Sequence, residues 1–296
     1  MSVFKKDILP TPEEMEFFDK NGWLLTDLFI KDDVIEECKQ AVEEIYSCNY
    51  DAQYSWSADK GNVGFNEQYT DRSMQRMDAY VSLHKNKIRE IIHAHPLAAY
   101  AAKLMKTTLV RLYRDILLTM PPKPGGSTGT GLHVDKNYWQ TCSSDKLISA
   151  WFSLDDCGIE NGCLVMVSGS HKWKRTSFVK KIELDDVDKL EKMYPDHEIE
   201  VKSVPHKKGQ VSFHSCLLMH GSHANTSNET RQSFAAVYQD RDNHYLTGKL
   251  NDKRQLINFN TNDRVGPKSG DGFPDYHDPE FYPVLFEETT LEHELI

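Results

Sequence analysis

Gly131-Leu132-His133-Val134-Asp135 is the stretch on which the reading of this 296-residue chain turns. His133 and Asp135 lie two positions apart, so on an extended strand both side chains leave the same face. Downstream, the apolar run Leu217-Leu218-Met219 ends at His220 and continues into Gly221-Ser222. Two imidazoles and one carboxylate form the open-faced triad of non-haem Fe(II) sites, which leaves three octahedral positions for a cosubstrate and O2. The spacing therefore marks His133, Asp135 and His220 as metal ligands and as the catalytic constellation. A Pro/Gly-rich turn (Pro121, Pro122, Pro124, Gly125, Gly126) precedes the motif and an apolar strand, Leu147 to Leu154, follows it. Each candidate thus sits at the edge of a β element, where a barrel mouth gathers ligands.

A dianionic 2-oxoacid that chelates the metal needs a cation for its far carboxylate. Arg231 opens the next apolar strand, close enough to His220 for a short turn to bring it back to the barrel interior. Its planar fork grips a carboxylate through two parallel hydrogen bonds. Ser233, on the same strand face, and Ser222, two past His220, supply hydroxyl donors.

Bulk properties exclude several classes. Hydrophobic residues make up 39% of the chain, mean hydropathy is −0.59, and net charge is −10. No apolar run approaches the roughly 20 residues of a spanning helix. Met1-Ser2-Val3-Phe4-Lys5-Lys6 lacks the apolar core of a signal peptide, and His293-Glu294-Leu295-Ile296 matches neither a peroxisomal nor a retention address. The expectation is a cytoplasmic protein that acts on a small-molecule substrate, with no nucleic-acid or membrane partner. The basic clusters Lys172, Lys174, Arg175 and Lys180, Lys181 read as a solvated rim. Six cysteines with no CxxC pair read as reduced thiols, with Cys157, Cys163 and Cys216 in the core.

The chain reads as one domain, 1–296, with a helical N-terminal region (1–106), a jelly-roll core (107–240) and a C-terminal extension (241–296). Thr11-Pro12-Glu13-Glu14 is a capping box with Pro at the first helical position. That helix stops near Asn21-Gly22 and a strand follows over Trp23 to Phe29. Asp32 or Asp33 caps a second helix, and helices follow over Asn86 to Ala94 and Pro96 to Met105. Residues 49–75 form a long polar loop interleaved with aromatics, the length of a lid or binding loop. Eight strand segments come next: 107–120, 132–139, 147–154, 163–167, 199–204, 209–214, 216–220 and 231–239. A polar helical stretch at 183–196 interrupts them. The tail 251–296 carries little structural signal and either wraps the barrel or covers the site. This order predicts an α+β protein with a double-stranded β-helix (jelly-roll, cupin-like) core flanked by N-terminal helices.

Several phrases resemble the phytanoyl-CoA dioxygenase family of Fe(II)/2-oxoglutarate oxygenases. They are Phe17-Phe18-Asp19-Lys20-Asn21-Gly22-Trp23, His133-Val134-Asp135, Trp151, Glu160-Asn161-Gly162-Cys163-Leu164, Ser168-Gly169-Ser170-His171 and His220-Gly221-Ser222, over about residues 13 to 240. The resemblance implies iron on His133, Asp135 and His220, 2-oxoglutarate anchored by Arg231, and a cosubstrate pocket lined by Trp151 and Ser222. Trp139 resembles a tryptophan near the site of related ectoine hydroxylases. Where the family often has Gln and Lys before the motif, this chain has Ile116 and Met120. Asp135 argues against the halogenase variant, in which a small residue opens a chloride site.

The implied reaction consumes O2 and 2-oxoglutarate, releases succinate and CO2, and hydroxylates an unactivated C–H bond. Desaturation or ring formation would use the same centre. Two other readings remain open: a non-catalytic module that senses metal and 2-oxoacid, and a cupin-type dioxygenase that needs no 2-oxoacid. Of the other histidines, His171 reads as shaping a turn, His214 as a satisfied structural residue, and His223 as exposed beside the site. The Glu160-Asn161-Gly162 turn reads as architectural.

Overall fold

In a computed structural model, which describes residues 2–51, 75–122, 129–174, 182, 184, 187–248, 263 and 266–288, Thr11 closes the capping box of α1 (Pro12–Asn21). The Glu14 amide donates to Thr11 Oγ1 and the Thr11 amide donates to the Glu14 carboxylate. Gly22 ends the helix in the left-handed region and donates to the Phe18 carbonyl. β1 (Trp23–Phe29) and α2 (Asp32–Tyr46) follow. The N-cap of α2 is Lys31, not an aspartate. Asp32 and Asp33 occupy its first turn, where their charge complements the helix dipole.

The helices α3 (Asn86–Ile92) and α4 (His95–Met105) lie where expected, with Pro96 in the first turn of α4. The strand β2 (Arg76–Ala79) precedes them and carried no sequence signal, because Arg76-Met77-Asp78-Ala79 contains no β-branched or aromatic residue. The remaining strands are β3 (Leu109–Met120), β4 (Thr130–Val134), β5 (Leu147–Ser153), β6 (Leu164–Val167), β7 (Val201–Val204), β8 (Gln210–Ser215), β9 (Met219–Ser222), β10 (Arg231–Asp240) and β11 (Val284–Glu287). The short helix α5 (Val187–Met193) lies between β6 and β7.

Among the described residues the strands form two antiparallel sheets. The larger runs β1-β8-β5-β10-β3-β11, with β2 also on β3, and the smaller runs β4-β9-β6-β7. These are the two curled sheets of the expected jelly roll. Side chains of β5, β8 and β10 alternate across the larger sheet, while a register shift at Tyr113 interrupts the alternation on β3. Phe152, Phe213, Phe234, Ala236 and Tyr238 pack outward against α1, α2, α3 and α4. Trp151, Ala235 and the small-sheet residues Leu164 and Met166 pack inside. With both faces covered, β5 and β10 are buried along nearly their whole length, and their centres, Ala150-Trp151-Phe152 and Phe234 to Tyr238, are apolar without alternation.

Two strand expectations shift. The segment 132–139 is a strand only to Val134, and Asp135–Asn137 form a 3-10 turn. Pairing with β9 ends at Val134↔Met219, and the Lys136 ammonium is drawn to the carbonyls of Cys142 and Ser144. The segment 216–220 starts as a turn closed by Leu218 N to Ser215 O, so β9 begins only at Met219.

Residues 266–288 run along the barrel rather than over the metal ligands. β11 pairs with β3, the Leu112 amide donates to the Pro283 carbonyl, and Tyr276 and Tyr282 pack on Tyr113. Asp263 accepts from Thr141 Oγ1 at 2.8 Å and from the Tyr276 hydroxyl at 2.5 Å. Most of the 49–75 loop, the basic residues Arg175, Lys180 and Lys181, and residues 251–262 and 289–296 of the tail lie outside the described residues. All six cysteines are free, and every one but Cys48 is buried. Among the described residues no helix is long and apolar enough to cross a membrane.

Candidate metal centre and cosubstrate pocket

His133 and His220 are direct cross-strand partners on β4 and β9. Such pairing sets their Cβ atoms roughly 5 Å apart on one face, and their ring centroids lie 4.4 Å apart. Gly221 allows the approach, because a Cβ there would collide with the Thr130 carbonyl. Asp135 completes the cluster from the turn after β4, with Oδ1 3.5 Å from His133 Nε2 and 3.8 Å from His220 Nε2. One donor atom from each of the three lies within 4.8 Å of the others.

Both imidazoles are oriented by backbone. His133 Nδ1 donates to the Gly131 carbonyl at 3.0 Å and His220 Nδ1 to the Leu218 carbonyl at 3.1 Å. These bonds set the tautomer that turns each Nε2 lone pair toward the cluster. Burial pushes His220 down to about 3, so it stays neutral, as a ligand must. Burial also works to raise Asp135, but the neighbouring His220, His133 and His214 outweigh it and hold the carboxyl well below its usual range. A neutral, neutral, anionic set of N and O donors suits a divalent transition metal.

Arg231 enters the same interior from the start of β10. It is 5% exposed, its Nη1 donates to the Gly162 carbonyl at 2.6 Å, and its guanidinium lies over the Trp151 ring at 5.7 Å. Burial lowers its pKa from the usual value. Among the described residues it has no carboxylate partner, which removes the surface ion pair as its explanation. Among the described residues, Arg231 Nε, Trp151 Nε1, Ser233 Oγ and His206 Nε2 are all buried without a hydrogen-bond partner. Buried polar groups rarely stay unpaired. Of these, Arg231 Nε, Trp151 Nε1 and Ser233 Oγ are donors, while His206 Nε2 is an acceptor because Nδ1 donates to the Val204 carbonyl; orphan donors beside a buried cation fit a carboxylate-bearing guest.

The structure therefore brings His133, Asp135, His220, Arg231, Trp151 and Ser222 around one cavity of about 120 Å³. Ser222 Oγ already accepts the Thr130 amide at 3.2 Å. Ser233 lies on the same face of β10 as Arg231. Trp139 lines the cavity from the other end and packs edge-on against Tyr113. Met77, Ile116, Leu118, Ala235 and Val237 form an apolar wall beside it.

Three site residues escaped the sequence reading or were misread. His214 is not a satisfied structural residue: its Nε2 lies 3.8 Å from Asp135 Oδ2 and its Nδ1 has no partner among the described residues. Ser149 donates to Asp135 Oδ2 at 3.4 Å; its only signal was a hydroxyl in the middle of an apolar strand. His206 packs against Trp151, with ring centroids 4.5 Å apart, and burial pushes it down to about 4; nothing in its sequence neighbourhood marks it. His171 sits in a 3-10 turn with Nε2 3.2 Å from the Asp19 carbonyl. His223 is partly buried and bonded to Ser203 Oγ at 2.8 Å, away from the cavity.

The family model for phytanoyl-CoA dioxygenase matches residues 18–233. The chain belongs to the phytanoyl-CoA dioxygenase family. It is 24% identical over 265 residues to a phytanoyl-CoA dioxygenase domain-containing protein 1 homolog of Caenorhabditis briggsae, covering 76% of this chain and 90% of that protein. It is 24% identical over 243 residues to the peroxisomal phytanoyl-CoA dioxygenase of Homo sapiens, covering 81% and 71%. Among solved structures, the α-ketoglutarate-dependent carbocyclase SnoK from nogalamycin biosynthesis superposes with TM-score 0.67 at 23% identity, covering 93% of this chain and 96% of that one. EctD from S. alaskensis superposes with TM-score 0.64 at 19% identity, covering 83% and 82%, and has been solved with bound Fe and with 2-oxoglutarate and 5-hydroxyectoine. These structural likenesses establish the shared fold.

Proposed function

We propose that this family member is an Fe(II)/2-oxoglutarate-dependent oxygenase that hydroxylates an unactivated C–H bond of a small-molecule metabolite in the cytoplasm. The observation that carries the reading is the buried Arg231, without a carboxylate partner among the described residues, in one cavity with three converging metal donors. His133, Asp135 and His220 would hold iron. With O2 and 2-oxoglutarate the iron supplies the oxidant, and the balance is one C–H converted to C–OH with release of succinate and CO2.

The protein's own residues do the rest. Arg231 binds the far carboxylate of 2-oxoglutarate, with Ser233 as a hydroxyl donor and Trp151 closing the pocket. Ser149 and His214 steady Asp135. Ile116, Leu118, Ala235 and Val237 keep water from the reacting C–H.

Purified protein with Fe(II), ascorbate and 2-oxoglutarate is expected to form succinate, slowly without substrate. Arg231→Ala should abolish this at ordinary 2-oxoglutarate concentrations. No succinate despite 2-oxoglutarate binding would favour a sensor. Oxygen consumption that survives Arg231→Ala would favour an oxygenase that uses no 2-oxoacid. Product masses separate hydroxylation (one added oxygen) from desaturation or ring formation (two lost hydrogens).

A further inference from the structure

The larger sheet carries a second interior arginine that the metal and 2-oxoglutarate leave unused. On β3, Ile116 and Leu118 line the cavity, and period-2 alternation sets Arg114 on their face. The cross-strand register agrees. Arg114 pairs with Val237, Val237 with Ser149, and Ser149 with His214, forming one row across the sheet. The other three members of that row line the cavity, and two of them touch Asp135.

Arg114 is partly buried, and its Nε is fully buried without a partner among the described residues. Its guanidinium sits over the Tyr80 ring at 5.9 Å and makes no hydrogen bond or ion pair among the described residues. The adjacent Asp115 does not answer it, because that carboxylate faces the other side and is taken by the amide and hydroxyl of Ser82. A partly buried guanidinium without an acceptor is costly unless a ligand supplies one.

Its place suits substrate rather than cosubstrate. Arg231 lies three inward-facing positions from Val237 along β10, so Arg114, the cross-strand partner of Val237, stands well along the sheet from Arg231, beside the cavity rather than in its lining. Arg114 stands two strand spacings, about 10 Å, from Ser149. The surface between is the apolar pair Val237 and Ile116. We infer that Arg114 is the substrate-anchoring residue and that the oxidised substrate is an organic carboxylate whose hydrocarbon portion lies on that apolar strip. This rests on the oxygenase reading above. The guanidinium takes the carboxylate in a bidentate grip, which holds a carbon away from the acid group over the metal ligands.

The test uses whole protein loaded with Mn(II), which does not start turnover, and saturating 2-oxoglutarate, so that the Arg231 end is filled. Butanoate, hexanoate and octanoate and their amides are titrated in by calorimetry. At least one acid should bind tenfold or more tighter than its amide. Arg114→Gln should erase that preference while Mn(II) and 2-oxoglutarate bind as before, and Arg114→Lys should keep some of it. Equal binding of acids and amides, no acid binding at all, or an unchanged preference in Arg114→Gln each overturns the inference. Failure of the wild-type protein to bind 2-oxoglutarate instead overturns the oxygenase reading beneath it.

Discussion

Arg231 hangs from the carbonyl of Gly162: one guanidinium nitrogen donates to it at 2.6 Å while the buried Nε has no partner among the described residues. The turn that carries Gly162 is therefore more than a connection. It aims the cation, and Gly162 can do so because its φ of 92° lies in the region that glycine alone occupies without strain.

Gly162→Ala should weaken 2-oxoglutarate binding without touching the guanidinium. The added methyl would lie 2.9 Å from Met120 Sδ and 3.0 Å from the His223 carbonyl, so the turn must shift. A rise of about tenfold in the 2-oxoglutarate Kd is expected, equivalent to about 1.4 kcal/mol. Titration of the Mn(II) form measures it, and an unchanged Kd would show that the carbonyl does not aim Arg231.

Ser149→Ala removes the hydroxyl that donates to Asp135 Oδ2. Partners of this kind tune metal sites by about 10–100-fold. Fe(II) or Mn(II) affinity should fall within that range, while 2-oxoglutarate affinity at saturating metal changes little. Equal metal affinity in both proteins would mean that Asp135 is held by the histidines alone.

The metal-free protein should lose stability on mild acidification. Burial pushes His220 down to about 3, and His206 and His93 to about 4, from an ordinary 6.5. A lowered folded-state pKa means that the unfolded chain binds more protons below 6.5. The stabilisation present above that pH is therefore lost as pH falls toward 4. Each group contributes up to about 1.4 kcal/mol per pH unit in that window. Tm measured by calorimetry should drop between pH 7 and pH 5. Saturating Mn(II) should raise Tm at pH 7 and lose this effect as its ligands protonate. A flat apo profile would contradict the neutral buried histidines.

Tyr276→Phe should loosen the C-terminal wrap. The hydroxyl is one of two donors to the buried Asp263 carboxylate, and Thr141 would remain alone. Leaving a buried carboxylate short of a donor costs about 1–3 kcal/mol. Urea unfolding reads the loss, and metal affinity should not change, since the pair lies outside the ligand set.

Much of this site was legible in the chain because its components are local in sequence. His133 and Asp135 declare themselves by spacing, and Gly22 and the Thr11–Glu14 box mark α1 through backbone chemistry contained in a few residues. The apolar runs of β5 and β10 disclose strands buried on both faces. Their order after an α-rich beginning is enough for the jelly roll. What stayed hidden depends on contacts between distant segments. Ser149 and His214 look like ordinary strand residues until the β5–β8 register sets them side by side against Asp135. β2 and β11 were not found from sequence and exist because β3 offers them an edge.

Local chemistry, then, determined which residue types are available: two imidazoles, a carboxylate and an arginine at intervals that strands can bring together. Only the tertiary structure decided that His133 faces His220 across one pair of strands, that Arg114 falls in one cross-strand row with Val237, Ser149 and His214, and that the tail packs behind Trp139 through Tyr113. The reason is physical. Side-chain identity and period are properties of neighbouring residues, whereas register and burial are set by which sheet faces close on each other, a choice that no short stretch of chain contains.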